Sequence, residues 1–190
     1  MKIIKEMAMK MPIDLDPNLI VKLEFMTGKG FEVILEEYNE NGKLVDEPGT
    51  LFTKMITDPK NGCPVGTYEV FHSDSIPGYG PLLYDIAIEW ATVTGEGLMS
   101  DRESVSADAA NVWEKYYNDR VDVIKIPLPE NCKDPKSGYK RYGQPVESTW
   151  SKNRFLKEDL TIISQLSNLG KIKIKVDLKD FDLSNLRKTK

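Results

Sequence analysis

A chain of 190 residues, 40% of them hydrophobic, suits one domain with appendages and can supply a sizeable core. Its net charge of −4 argues against a nucleic-acid binder that tracks phosphates, and no apolar run approaches the roughly 20 residues that span a bilayer. Met1 to Met11 is amphiphilic but interrupted by Lys5, Glu6 and Lys10, so no signal-peptide core is expected.

Val21 to Met26, Phe31 to Tyr38 and Leu51 to Ile56 are strand-like runs rich in β-branched and aromatic residues. Only Thr27-Gly-Lys-Gly30 separates the first two, which predicts a hairpin turn. Cys63 and Cys132 fall in Gly/Pro/Asn-rich loops without partnering histidines. That argues against a metal site and against a disulfide framework, and two free thiols suit a reducing cytoplasm.

Gly66 to Ser73 reads as a strand that runs without a gap into Ser73-Asp-Ser-Ile-Pro-Gly-Tyr-Gly-Pro-Leu-Leu-Tyr84. Beyond it, Leu83, Ile86, Ala87, Trp90 and Ala91 fall at helical spacing, with Pro81 where a first helical turn tolerates it. A helix opening from a tight turn offers unpaired N–H groups and the positive end of its dipole, so it favours an anion, phosphate foremost. The plainer alternative is a Gly78–Gly80 turn that only needs φ > 0. On the strand, alternation sends Glu69 and His72 to opposite faces, so only one can act as a base toward a substrate. His72, the single histidine, has the titration range of a base or serves as a structural hydrogen-bonder.

Gly95-Glu-Gly97 ends the helix, and Leu98 to Arg102 offers a short strand. Ser104 or Ser106 caps a second helix, Ala107 to Asn118, on which Ala109, Val112, Trp113, Tyr116 and Tyr117 form an apolar and aromatic face. Trp113 reads as core. Val121 to Pro127 returns as a strand. From Pro127 to Asn153 the chain is rich in Pro, Gly, Lys and Tyr, a loop far longer than the usual run of about 4 to 6 residues. Its Lys136, Lys140 and Arg141 either meet a phosphorylated ligand or form a solvated surface. Leu156 to Leu169 reads as a helix stopped by Gly170, and Lys171 to Leu178 as a half-buried or edge strand whose lysines deter aggregation.

From Tyr68 to about Ile126 the order strand, Gly-turn, helix, strand, helix, strand resembles the GCN5-related N-acetyltransferase (GNAT) superfamily, whose fourth strand and third helix cradle the pyrophosphate of acyl-coenzyme A. Gly-Tyr-Gly-Pro-Leu-Leu-Tyr-Asp, then Met-Ser-Asp-Arg-x-Ser-Val-Ser and Val-Trp-Glu-Lys-Tyr, is similar to GNAT-like proteins carried by bacteriophages. The resemblance implies an α/β fold, a GNAT-like mixed, mostly antiparallel sheet flanked by helices in a single domain. Residues 1–130 would be the core, 131–153 a long loop, and 154–190 a C-terminal helix and strand extension.

The resemblance also implies a cosubstrate, acetyl-CoA or another acyl-CoA. In the superfamily loop Gln/Arg-x-x-Gly-x-Gly/Ala, Gly78 and Gly80 match the small positions, and Ser75 stands where Gln or Arg is usual. Ser75, Ile76, Gly78, Tyr79, Gly80 and Leu82 would then hold pyrophosphate, mostly through backbone amides. The family's Asn-x-x-Ala-x-x-x-Tyr aligns with Ser106, Ala109 and Trp113, so both functional positions have changed. An indole donates only, which leaves Tyr116 or Tyr117 to protonate the leaving thiolate, or each to be a buried aromatic bonded to backbone. Glu69 takes the family's general-base position or is a solvated edge carboxylate. The implied function is N-acyltransfer to an unidentified amine in the cytoplasm of a bacterial host. The alternative is a phage protein that has lost transfer and acts as a protein-binding or virion-associated component. The superfamily usually inserts two helices between its first two strands, so the hairpin here means that the acceptor wall is missing or comes from the C-terminal region.

Overall fold

β-Branched and aromatic residues recur from Leu19 to Ser75, a stretch that forms a four-stranded antiparallel meander. The computed structural model describes residues 15–26, 30–138 and 148–175. In the meander, β1 (Leu19–Met26), β2 (Gly30–Tyr38), β3 (Leu44–Met55) and β4 (Tyr68–Ser75) pair in succession. Period-2 alternation sends Leu19, Val21, Leu23, Phe31, Val33, Leu35, Leu51, Tyr68 and Val70 to one buried face. That face is covered by α1 (Gly80–Thr94), whose Leu83, Ile86, Ala87, Trp90 and Ala91 are all buried, as their spacing predicts. Gly49 sets how close the helix comes: a Cβ there would lie 3.1 Å from Leu35 and 3.2 Å from Leu83.

After α1 the chain forms β5 (Leu98–Ser100), β6 (Ser104–Val105), α2 (Ala107–Asn118), β7 (Val123–Pro127), β8 (Ser137–Gly138), β9 (Asn153–Lys157), α3 (Thr161–Asn168) and β10 (Ile172–Lys175). The main sheet has the order β10-β1-β2-β3-β4-β5-β9-β7, and β6 and β8 make a separate parallel pair. Only β10 on β1 and β5 on β4 are parallel within the main sheet. The chain is thus a single α/β domain, a mixed and mostly antiparallel eight-stranded sheet with three helices. Ser106 caps α2, accepting from the Ala109 N–H at 3.2 Å.

Two expectations are corrected. The helix expected from Leu156 begins only at Thr161, because Asn153–Lys157 is a strand wedged between β5 and β7, with Leu98 paired to Phe155. Sheet pairing overrides local helical spacing there, and Asn153, Phe155 and Lys157 alternate inward. The second correction concerns the thiols: Cys63 and Cys132 form a disulfide across a sequence separation of 69. Cys63, just past the short 3-10 turn Pro59–Asn61, and Cys132 have Cα atoms 4.3 Å apart, a proximity that loop composition does not encode. The free-thiol argument for a reducing cytoplasm therefore falls.

Within the long loop, Thr149–Lys152 forms a 3-10 turn that buries Trp150 and Ser151, and Lys136 pairs with Glu103 on the surface at 2.6 Å. Lys140, Arg141, Met1 to Met11 and the hairpin residues Thr27 to Lys29 lie outside the described residues, as do positions 176–178 of the last predicted strand. Met26 pairs with Gly30, so β1 and β2 are adjacent antiparallel neighbours, as a hairpin requires.

Candidate active site

β4 and β5 run side by side only from Tyr68↔Leu98 to Val70↔Ser100. Beyond Val70, β4 continues to Ser75 while β5 ends, so the sheet splits. The N-terminal ends of α1 and α2 flank the split. A cavity of about 170 Å³ fills it, lined among others by Val70, His72, Ser73, Tyr84, Ser106 and Trp113. A second, of about 160 Å³, shares Ser73, Tyr84, Ser106 and Ala109 with the first and reaches Ser75 and Gly80. Together they form one cleft from the glycine turn to the split strands.

Gly78 adopts φ +101°, a conformation glycine reaches at little cost, and nothing lies within 4 Å of where its Cβ would be. Tyr79 at the start of α1 gives no side-chain cap. The N–H groups of Gly78, Gly80 and Leu82 take no partner among the described residues, whereas Ile76 N–H donates to Pro48 O at 2.9 Å and Tyr79 N–H to Ile76 O at 3.4 Å. Of the amides expected to face an anion, three are open, one is committed to β3 and one to the turn itself. Ser75 ends β4, its Oγ 3.3 Å from where a Gly80 Cβ would stand.

β4 carries a bulge that changes the expected geometry. The β3–β4 register passes from Thr53↔Val70 to Phe52↔His72, skipping Phe71. Because Lys54 faces Glu69, and Lys54 and Phe52 share a face of β3, the extra residue brings His72 to the same face as Glu69. The expected opposition of these two side chains is thereby corrected. His72 sits against Phe52, with ring centroids 5.6 Å apart, and Phe71 is 51% exposed beside them.

Glu69 lines a groove of about 730 Å³ below the sheet, together with Lys54, Cys63, Arg102, Asn131 and Asp134. The residue as a whole is 7% exposed. Oε1 accepts from the Arg102 N–H at 2.6 Å, and Oε2 takes no hydrogen bond among the described residues. Burial raises its pKa above the ordinary value, against the lowering effect of that N–H. The Arg102 guanidinium is committed to protein oxygens: Nε to Ser100 O, NH1 to Ser151 O at 2.8 Å, and NH2 to Ser100 Oγ. Burial lowers its pKa to about 10.

Neither tyrosine expected as the acid lines the cleft. Tyr116 is 2% exposed, donates its hydroxyl to Pro81 O at 3.1 Å, and lies under the Arg120 guanidinium. Burial raises its pKa well above the ordinary value. Tyr117 is half-buried against the main core. Trp113 is core, as expected, stacked on Phe155 and edge-on to Tyr84 with centroids 5.1 and 5.2 Å away. The phenol that does line the cleft is Tyr84, hydrogen-bonded to Ser73 Oγ at 3.0 Å. Sequence reasoning passed over it, although it is one helical turn beyond Gly80 and so shares the turn's face of α1.

Among the described residues no cluster of His, Cys, Asp and Glu has metal-binding geometry, and no helix is long and apolar enough to cross a membrane. Comparison with family models, with curated proteins and with solved structures gives no match to this chain.

Proposed function

We propose that the chain is a GNAT-like, acyl-CoA-dependent N-acyltransferase of the phage type, with an amine as acceptor. The observation that carries this reading is the split between the parallel strands β4 and β5, opening beside a glycine turn in which the amides of Gly78, Gly80 and Leu82 take no partner among the described residues. An extended pantetheine arm would pair with the open flank of β4 as an added strand does, while pyrophosphate meets the N–H groups of Gly78, Gly80 and Leu82 at the positive end of α1. The order β1 to β5, followed by the antiparallel β9 and β7, also suits that superfamily.

The chemistry follows from what borders the split. Backbone N–H groups of β4 polarise the thioester carbonyl. Glu69, buried and raised in pKa, takes the proton of the acceptor amine as its nitrogen attacks the carbonyl carbon. The C–S bond then breaks, and the coenzyme A thiolate takes a proton from Tyr84, whose hydroxyl is paired with Ser73. Tyr84 here replaces Tyr116 and Tyr117 as the proton donor.

Calorimetric titration with acetyl-CoA tests the reading. Gly80→Asp puts a side chain and a negative charge where pyrophosphate would sit, and affinity should fall by roughly 1 to 3 kcal/mol. Equal binding by wild type and variant, at an unchanged melting temperature, would remove the turn from the site. The rival, a protein-binding scaffold without transfer, is favoured by Trp113 packing into the core at the family's tyrosine position. It requires that wild type neither bind acetyl-CoA nor release free thiol from it.

A further inference from the structure

The groove beneath Glu69 has two walls of irregular chain. One is the loop 57–66, contributing Lys60 and Cys63, and the other is the loop 128–136, contributing Asn131 and Asp134. Each wall is tied down on its own side. The first is closed by Ile56 N–H to Thr67 O at 2.8 Å and Gly66 N–H to Ile56 O at 2.9 Å. The second is held by Leu128 N–H to Lys152 O at 2.8 Å, Lys136 N–H to Arg102 O at 3.1 Å, and Ser151 Oγ–H to Asp134 at 2.7 Å. Among the described residues no hydrogen bond crosses from one wall to the other. The disulfide is the crossing link.

Around it, Ile56, Cys63, Met99 and Cys132 form a small apolar cluster separate from the main core, with Leu128 against it. Met99 is also the β5 neighbour of Glu69, so the cluster adjoins the strand position of that residue. Gly62 leaves room for the backbone of Asn131, since a Cβ there would come within 2.1 Å of its carbonyl oxygen. Among the described residues the disulfide is the one bond that holds this close seating of one wall on the other.

We propose that the Cys63–Cys132 disulfide is a thiol-responsive clamp on the Glu69 groove, closed when oxidised and open when reduced. This rests on the reading of the groove as the acceptor side of an acyltransferase, and it names how that side is regulated. Cys63 and Cys132 are both nearly buried, at 5% and 7% exposed, and of the two only Cys63 lines the groove, so a small thiol that enters through the groove meets Cys63. A glutathione-class thiolate bonds to Cys63 Sγ, the S–S bond breaks, and Cys132 leaves as a thiolate that takes a proton from solvent. A second thiolate then attacks the glutathione sulfur of the mixed disulfide, releasing Cys63 and the oxidised small disulfide. Two electrons pass from two small thiols to the protein.

The test uses the full chain with reduced glutathione as the probe. Peptide mapping of the trapped intermediate should find glutathione on Cys63 at least tenfold over Cys132. Complete reduction should raise the rate of limited proteolysis within 57–66 and 128–136 at least tenfold, and leave cleavage of the β1–β4 meander unchanged. With ¹³C-labelled glutamate, the Glu69 titration should move down toward the ordinary carboxylate range on reduction, because the carboxylate regains water. The variant carrying Cys63→Ser and Cys132→Ser should match the reduced protein in proteolysis and titration. Glutathione on Cys132, unfolding of the whole domain on reduction, or walls and Glu69 indifferent to reduction would each overturn the clamp. Acetyl-CoA affinity, read in parallel at the opposite cleft, should differ less than twofold between the two forms. If neither form binds acetyl-CoA, the acyltransferase reading fails, while mapping, proteolysis and titration still judge the clamp.

Discussion

Two sets of buried charge lie in this domain, and they differ in what they leave open. Between α1, β9 and α3, Lys157 Nζ is 2.7 Å from Asp85 and 3.6 Å from Glu89, and Arg120 joins Asp85 and Asp122 from the rim. Every group there is matched: the Glu89 carboxylate accepts the N–H groups of Ile162 and Ile163 at 2.9 and 2.8 Å, capping α3, whose own N-cap residue, Leu160, cannot. Glu69 is buried almost as deeply, yet one of its oxygens meets the groove without a partner among the described residues. Depth alone therefore does not mark a working carboxylate. The saturated set fixes the fold and the unsaturated one is available for chemistry.

The largest break in this contrast is Lys157→Met. Removing the cation leaves Asp85 and Glu89 buried with unbalanced charge, which should cost about 3–5 kcal/mol in chemical denaturation. An unchanged midpoint would mean that the set is hydrated. Trp113→Ala, which opens the junction of Tyr84 and Phe155, should cost roughly 3–5 kcal/mol by the same measure. A soluble variant with the wild-type midpoint would return the indole to the list of ligand-facing groups.

Glu69→Gln sharpens the contrast from the other side. Thiol release from acetyl-CoA with an amine present should fall roughly 10³-fold. Its pH dependence has a definite sign. The folded-state pKa of Glu69 lies above the ordinary value of 4.5, so folding favours the protonated form. That stability is fully present below about 4.5 and is lost as pH rises through the raised value. Wild type should thus lose stability relative to Glu69→Gln across that window, while its turnover rises there. A parallel pair of stability curves would show that Glu69 is solvated. The smallest effect expected on the fold is that of Tyr84→Phe, about 1 kcal/mol for one hydrogen bond to Ser73. Thiol release should nonetheless drop roughly 10²-fold, and retention of full turnover would point to water as the donor.

Much of the architecture was legible because local signals and packing agree. The second helix runs from Ala107 to Asn118, bounds that polarity and spacing alone define, and of the two candidate caps Ser106 is the one used. The glycine turn into the first helix was legible too, with Gly78 at φ +101° and Gly80 opening the helix. What escaped were consequences of long-range pairing. The bulge at Phe71 exists only in the register of β3 against β4, and it reverses the parity from which the faces of Glu69 and His72 were read. Likewise Arg-Phe-Leu-Lys at 154–157 has no local mark that places it between β5 and β7, and cysteine spacing does not give connectivity. Tyr84 was hidden because a phenol in a helix beside apolar neighbours looks like core, and it is both: 3% exposed, with its hydroxyl turned to the cleft.

The parallel pairing of β10 on β1 has a consequence for how the protein is made. Lys175 reaches Glu24 across 151 positions of sequence, and Val21 N–H donates to Lys171 O at 2.8 Å. A ribosome adding roughly 5–20 residues per second needs roughly 8–30 s to cover that distance. β4 ends at Ser75, so for the last 100 of those positions, roughly 5–20 s, the meander can already be folded while the outer edge of β1 has bare amides and carbonyls, open to the same strand of a neighbouring nascent chain. Lys22 and Glu24, alternating with the buried Val21 and Leu23, give that temporary edge charge on its solvent face until the last strand arrives to cover it.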